Sequence, residues 1–334
     1  MIARRLTTFK ITSLWIYLIL PIAVQSASHQ ARIQNTDYWD LRYIANCVGL
    51  ETSWILPNEQ LKLYSSQIDL RFQLHKKEYT HNDLKVYLGY PVAKHRGSLY
   101  ISKNDFRKVL IPLLVPKAIK NPKKLYRIVI DPGHGGKDPG TQNHRYNLSE
   151  KDLVLKVAQK LKLLLQKRGY KVLMTRNSDV FLRLEERAEF SNRNRADLFL
   201  SLHFNAASTK SVHGLETFLY TPPYQPSTYR TKYLASDKII RKGNINDDWN
   251  IIVGSLVQRR ILMTMRLKDR GIKKARFQVL RDITSPGMLL ELGFLSNDAT
   301  ARSLRSDDYL FNLALSITNG VLDYQKLLNL LRSR

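Results

Sequence analysis

Two histidines and two glutamates stand where apolar runs give way to loops or helices. His134 lies in VIDPGHGGKDPG, Glu150 opens the run LSEKDLVLKV, His203 ends LFLSLH and Glu291 interrupts MLLELGF. Two imidazoles and one carboxylate are ligand chemistry for a catalytic zinc ion that keeps a fourth position for water. The spacings, 16 residues from His134 to Glu150 and 53 from Glu150 to His203, match no short zinc-protease motif. Each residue alone has a plainer reading: Glu150 as a complement to a helix dipole, His203 as a hydrogen-bonded core histidine. Glu291 is a different kind of candidate. A carboxylate inside an apolar strand is costly unless paired, so it either meets an arginine such as Arg281 or serves as a base beside a metal site.

The glycines around His134 also raise the question of phosphate. A phosphate loop places Ser or Thr after Gly-Lys, but Lys137 is followed by Asp138. Counted from Gly133, the sixth position of a dinucleotide fingerprint is again Asp138 instead of glycine. Both nucleotide readings are weak. What is left is a histidine at the carboxyl end of a strand, where α/β sheets present ligands.

The surrounding elements can position such a site. YRIVI reads as a strand, LSEKDLVLKVAQKLKLLLQKRG as a long helix ending at Gly169, YKVLMTR as a strand and FLRLEERAEFSNRNRA as a helix. LFLSLH, LETFLY, a helix through the 250s and 260s, FQVLR and MLLELGF continue the alternation, and DYLFNLALSITNGVLDYQKLL closes the chain as a helix. Ser149 with Asp152 resembles a capping box at the head of the long helix. Asp247 or Asp248 is a candidate cap for the later one. This order predicts an α/β fold, a sheet covered by helices on both faces. TPPYQPSTYRTKY, 221–233, reads as a surface loop near the site.

Upstream, 35–115 forms a smaller α+β unit. Its pieces are a short amphipathic helix over 38–56 with Tyr38 and Trp39 near its start, strands in QIDLRFQL and LKVYLGYPV, and a strand-to-helix passage in SLYISKNDFRKVLIPLL capped by Ser102 or Asn104. His75, His81 and His95 are expected on its surface. Residues 116–124, with two prolines and several lysines, read as a linker to the second unit at 125–334.

The chain of 334 residues has 54 Lys and Arg against 28 Asp and Glu, a net charge of +26. That surface suits a polyanion. MIARRLTTFK, then ITSLWIYLILPIAV, then VQSA follow the order of a secretory signal peptide, residues 1–26. Its removal would leave +23. An exported protein with no recognisable nucleic-acid motif points away from nucleic acid, and toward an acidic wall polymer or an anionic membrane face. Cys47 is the single cysteine, which excludes an internal disulfide and is expected as a buried filler.

The second unit resembles the zinc-dependent N-acetylmuramoyl-L-alanine amidases of bacterial cell walls. IVIDPGHGGKDPG, the Glu150 helix start, VLMTR, RLEERAEFSNRNRADLFLSLHFNA, GLETFLY and ELGFLSN occur in that family's order across about 210 residues. The resemblance implies one Zn2+ per chain held by His134, Glu150 and His203, with Glu291 as the catalytic glutamate. It implies peptidoglycan as substrate, a place in the periplasm or cell envelope, a candidate activator protein and a monomer. Leu202 and Phe204 flank the second histidine where isoleucine and alanine are commoner in the family. Within the matched motifs, Asp131 is a candidate orienter of His134 or a turn cap, Asn205 a candidate support for the loop after His203, and Glu216 a candidate partner of Arg176 or Arg281. The amino-terminal unit is similar to the small amino-terminal domain of copper amine oxidases, which implies a stalk or binding module and no copper chemistry. The competing function is a basic wall-binding protein on a non-catalytic amidase fold.

Overall fold

The computed structural model describes residues 29–333. The segment read as a signal peptide lies outside them. Among the described residues no helix is long and apolar enough to cross a membrane.

Strands β1 (Gln30–Ile33) and β2 (Thr36–Asp40) form a hairpin. A meander follows through β3 (Glu51–Leu56), β4 (Gln60–Tyr64), β5 (Asp69–Gln73), β6 (Glu78–His81) and β7 (Leu84–Tyr87). β8 (Ala93–His95) and β9 (Ser98–Ser102) form a second hairpin, and β9 returns to pair with β2. The second unit contributes β10 (Arg127–Pro132), a two-residue ribbon of β11 (Gln142–Asn143) and β12 (Leu148–Ser149), then β13 (Lys171–Met174), β14 (Leu198–Asn205), β15 (Leu215–Tyr220), β16 (Asp269–Ala275) and β17 (Gly287–Phe294).

The order β13-β10-β14-β17-β15-β16 runs directly on into β7-β6-β5-β4-β3, so eleven strands make one sheet. The seam is one parallel pair, Ile272 opposite Val86. The two units read from the sequence therefore share a sheet, and the linker between them holds one turn of 3-10 helix, Pro116–Ala118. β13, β10, β14 and β17 run parallel. Parallel neighbours need long crossovers, which the helices Glu150–Gln166 and Leu184–Arg193 supply.

Period-two alternation sorts the strands' side chains between two layers. Ile128, Ile130, Leu198, Leu200, Leu202, Phe204, Met288, Leu290 and Leu292 face the larger core, shared with the helices Glu150–Gln166, Asp247–Met265 and Asp307–Arg332. Val129, Phe199, Phe218 and Leu289 face a thinner core closed by the helices Leu184–Arg193 and Gln278–Arg281. This is the expected α/β fold with both faces covered. The thin face is the one that leaves room for a cleft.

Several local expectations change. Tyr38 and Trp39 belong to strand β2; the helix begins only at Leu41, where Asp40 accepts the Arg42 N–H at 2.8 Å, and ends at Cys47 before Gly49 at φ +71°. ETSWIL is a strand paired with β4. FQVLR becomes the short helix Gln278–Arg281, while the unforeseen strand is β16. Ser102 does cap its helix, accepting from the Asp105 N–H. Asp247 and Asp248 lie in the first turn of their helix, after Asn246, so neither is its cap. Cys47 is half-buried.

His81 is buried, contrary to its expected surface position, and Arg259 donates to its carbonyl at 3.0 Å. Burial first, then the Arg259 charge, pushes its imidazole from the ordinary 6.5 down to about 3. A depressed folded value stabilises fully above the unfolded one, and that stability is lost as pH falls from 6.5 toward 3. The slope is about 1.4 kcal/mol per pH unit. Replacing His81→Gln should flatten the pH dependence of the unfolding free energy, read from urea titrations, in that window by this amount. An unchanged slope would show that the folded ring already takes a proton.

Candidate metal centre

The site lies at the carboxyl ends of β10, β14 and β17, on the thin face of the sheet. β10 ends at Pro132, and Gly133 is tied to β14 by its N–H to Leu202 O at 3.1 Å. His134 then takes φ +58°, a left-handed conformation that a residue with a Cβ adopts at some cost. Two buried arginines hold the turn in place. Arg187 donates to Pro132 O and His134 O, each at 2.8 Å, and Arg176 to Pro132 O at 3.0 Å and Gly133 O at 2.7 Å. Asp131, also buried, accepts from Arg187 at 2.8 Å, from Thr175 at 2.6 Å and from Ser201 at 2.8 Å.

The glycines make space instead of binding an anion. A Cβ on Gly133 would stand 2.1 Å from Cε1 of His203, and one on Gly140 would stand 2.7 Å from Oε2 of Glu150 and Cδ2 of His134. Those close approaches let the side chains converge.

Glu150, the first residue of its helix, is buried, and its Oε1 lies 3.0 Å from Nε2 of His134 and 3.0 Å from Nδ1 of His203. The two nitrogens are 3.2 Å apart. Bonds of about 2.0–2.1 Å to a tetrahedral ion would place ligand atoms about 3.3 Å from one another, so this triangle fits one small cation. Among the described residues this is the one cluster of three or more His, Cys, Asp or Glu side chains with metal-binding geometry. Glu150 is fixed independently by the N–H of Phe204 at 3.0 Å and of Thr141 at 2.8 Å. Burial opposes its ionisation, but both histidines hold it well below the ordinary carboxyl range. His134 shows the converse: burial opposes the proton, and Glu150 with Asp138 raises it nonetheless. An anionic carboxylate between two imidazoles is an electrostatic well for a cation.

The orienter of His134 is Asp138, whose Oδ2 meets Nδ1 at 2.8 Å, four residues along the same turn. Asp131, read as either an orienter of His134 or a turn cap, meets Arg187, which in turn holds the loop carbonyls. Ligating histidines commonly pass their second nitrogen to a carboxylate, so Asp138 was the residue to find. Its spacing across the glycine turn was the available signal.

Glu291 stands opposite His203 in the β14–β17 register. Neighbouring strands lie about 4.8 Å apart, which puts its carboxyl beside the triangle. It shares a cleft of about 370 Å³ with His134, Glu150, His203, Leu184 and Phe277. Its Oε2 has no hydrogen-bond partner. Arg281, once its candidate partner, pairs with Asp282. Desolvation first, then the charges of Glu150 and Glu216, raises Glu291 well above the usual carboxyl range, while Lys273 pulls it down. A bound cation would act in the same direction as Lys273. Glu216 pairs with neither Arg176 nor Arg281. It meets Arg270 at 2.7 Å and Lys273 at 2.5 Å, and accepts from Asn205 at 3.1 Å.

A mixed α/β sheet that brings a His2Glu triangle and a carboxyl with an unpaired oxygen together at its strand ends carries the kind of donor set that metal-dependent hydrolases use. The sequence profile of the N-acetylmuramoyl-L-alanine amidase family matches residues 128–323, and the chain belongs to that family. It is 34% identical over 242 residues to an uncharacterized cell wall amidase of Bacillus anthracis, a match covering 70% of this chain and 40% of the relative. It is 32% identical over 219 residues to the amidase AmiC of Escherichia coli O6:H1, covering 59% of this chain and 52% of that one. The matches thus span about half the length of these two relatives. Among solved structures, the N-acetylmuramoyl-L-alanine amidase of Clostridium difficile 630 is similar with a TM-score of 0.50 at 32% identity, covering 61% of this chain and 98% of that one. The CwlD amidase of Clostridioides difficile, solved in complex with the GerS lipoprotein, has a TM-score of 0.50 at 26% identity over 60% of this chain and 99% of its own.

Proposed function

We propose that this protein hydrolyses the amide between the lactyl group of N-acetylmuramic acid and L-alanine of the stem peptide in peptidoglycan. His134, Glu150 and His203 would hold one Zn2+, and Glu291 would act as general base and then general acid. The observation that carries this reading is the unpaired Oε2 of Glu291 beside a triangle of ligand atoms with edges of 3.0, 3.0 and 3.2 Å. The ion, when bound, supplies a Lewis acid that makes water more acidic and polarises a carbonyl.

The chain's own residues do the rest. Glu150, tied to two backbone N–H groups, orients both imidazoles. Glu291 has an oxygen free to take a proton from the attacking water and return it to the departing amine. Leu184 and Phe277, exposed at 46% and 36%, form apolar walls against which a sugar–peptide junction can lie. Family membership and the basic surface support work in the cell envelope, with an acidic wall polymer or anionic membrane face as a second contact. The complex of CwlD with GerS supports a search for an activating protein partner.

Digestion of purified sacculi, with and without chelator, tests the reaction. The expected products are stem peptides with a free L-alanine amine and intact glycan strands, formed only without chelator. Cleavage within the peptide or the glycan would overturn the assignment. The contact between Asp138 and His134 gives a finer test. Asp138→Asn should weaken zinc affinity about 10- to 100-fold, read by competition with a chromogenic chelator. Unchanged affinity would remove Asp138 from the centre.

A further inference from the structure

We propose that the amino-terminal unit takes part in the reaction, with Lys77 as a positioning residue that acts on the catalytic cleft through the loop carrying Tyr229. This rests on the reading of Glu291 as the general base.

Lys77 lies just before β6, and its ammonium donates to three backbone carbonyls of the other unit: Ser227 at 3.4 Å, Thr228 at 3.2 Å and Arg230 at 2.9 Å. An ammonium has three donors, and these three bonds bracket Tyr229 on both sides. Burial pushes Lys77 below the usual lysine range, so the carbonyls offset a real desolvation cost. Thr228 is in turn tied to β16, its N–H reaching Lys274 O at 2.9 Å and its hydroxyl accepting the Lys274 N–H at 2.8 Å. The loop is therefore clamped between the two units.

What it presents is Tyr229. The hydroxyl meets the Lys273 ammonium, which also stands 4.8 Å from the ring centre. Lys273 is 2% exposed and bonds Glu216 Oε1. From β7 of the amino-terminal unit, the Tyr87 ring lies 5.7 Å from the same ammonium. Glu216 is directly opposite Glu291 in the β15–β17 register. Two carboxylates so placed repel unless a cation stands with them. Asn205, two residues after His203, donates to the other Glu216 oxygen at 3.1 Å. A continuous set of contacts thus leads from Lys77 through Tyr229, Lys273 and Glu216 to the strand position facing the base. Its work is to keep Lys273 seated on Glu216, opposite Glu291, so that the carboxyl holds its place against substrate.

Full-length Lys77→Met, Tyr229→Phe and the double variant, each with its metal content measured, test this on sacculi or a soluble muramyl peptide. Tyr229 is 70% exposed, so its variant should fold even if Lys77→Met is less stable. Each single change should lower kcat about tenfold, the scale of one lost hydrogen bond to a charged group, with KM moved less than about twofold. The double variant should be no slower than either single one, because Lys77 acts only through the Tyr229–Lys273 contact that the other change removes. Parental kcat in Tyr229→Phe, or losses that multiply to about 100-fold in the double variant, would overturn the proposal. So would a Lys77→Met protein that melts earlier yet keeps parental kcat while folded. Glu291→Gln in the same assay separates the two readings: full activity there defeats the base assignment, whatever Lys77 does.

Discussion

Glu291→Gln is expected to keep one zinc ion per chain and to lose roughly 10²–10⁴-fold in the rate of stem-peptide release. The substitution is nearly isosteric, and Glu291 makes no hydrogen bond through Oε2 that an amide would break. The triangle of His134, Glu150 and His203 is bonded among its own members and to backbone N–H groups, so it should stay assembled. What the amide cannot do is accept a proton. The melting temperature should hold or rise, because the variant removes a carboxyl that lies near two others. Metal analysis and a progress curve on sacculi read both halves of the result. A variant that hydrolyses at the parental rate would assign the base elsewhere, and one that loses the ion would make Glu291 a ligand.

The second large effect comes from a methyl group. At Gly133→Ala the new Cβ would lie 2.1 Å from Cε1, 2.4 Å from Nε2 and 2.7 Å from Nδ1 of His203. The backbone there is not in the left-handed region, unlike Gly97 at φ +73°, where a Cβ would meet open space. Gly97→Ala should therefore cost about 1 kcal/mol of backbone strain and leave the site untouched. Gly133→Ala instead forces the His203 ring out of the triangle. Zinc affinity should drop at least about 100-fold, beyond the effect of losing an orienting partner, with hydrolysis falling alongside it. The core side of β14 is unaffected, since Leu202 and Phe204 face the other layer. Zinc titration of both alanine variants makes the comparison, and parental affinity in Gly133→Ala would mean that the His203 ring is not needed for the ion.

The residues of the triangle were legible because each ends or begins an element whose pattern is strong. Apolar runs stop at His134 and His203, and a long helical period begins at Glu150. Glu291 was legible for the opposite reason, as one charge inside an apolar strand. Asp138 was harder, since an aspartate between lysine and proline in a glycine-rich loop reads as turn chemistry before it reads as a contact to His134. Strand β16 escaped notice because DRGIKKA has two lysines where a core strand should be apolar. Glu216 and the Tyr87 carbonyl take those ammonium groups, and both partners are distant in sequence. Arg176, expected beside Glu216, and Arg187, which no motif marks, instead give four bonds to the carbonyls of the His134 turn and one to Asp131. The single sheet could not be read at all. One pair of residues, Ile272 and Val86, joins its two parts, and one pair leaves no periodic trace.

That seam also bears on solubility. An uncovered strand edge is adhesive, because its open N–H and C=O groups will pair with any strand that arrives. The meander β3–β7 lies along β16 and continues the sheet outward to β3. It thereby moves the open edge away from the cleft to β3, where Glu51 and Ser53 are exposed beside Ile55 and Leu56. The half that carries the cleft, cut free of that border, would present β16 as a template for its neighbours.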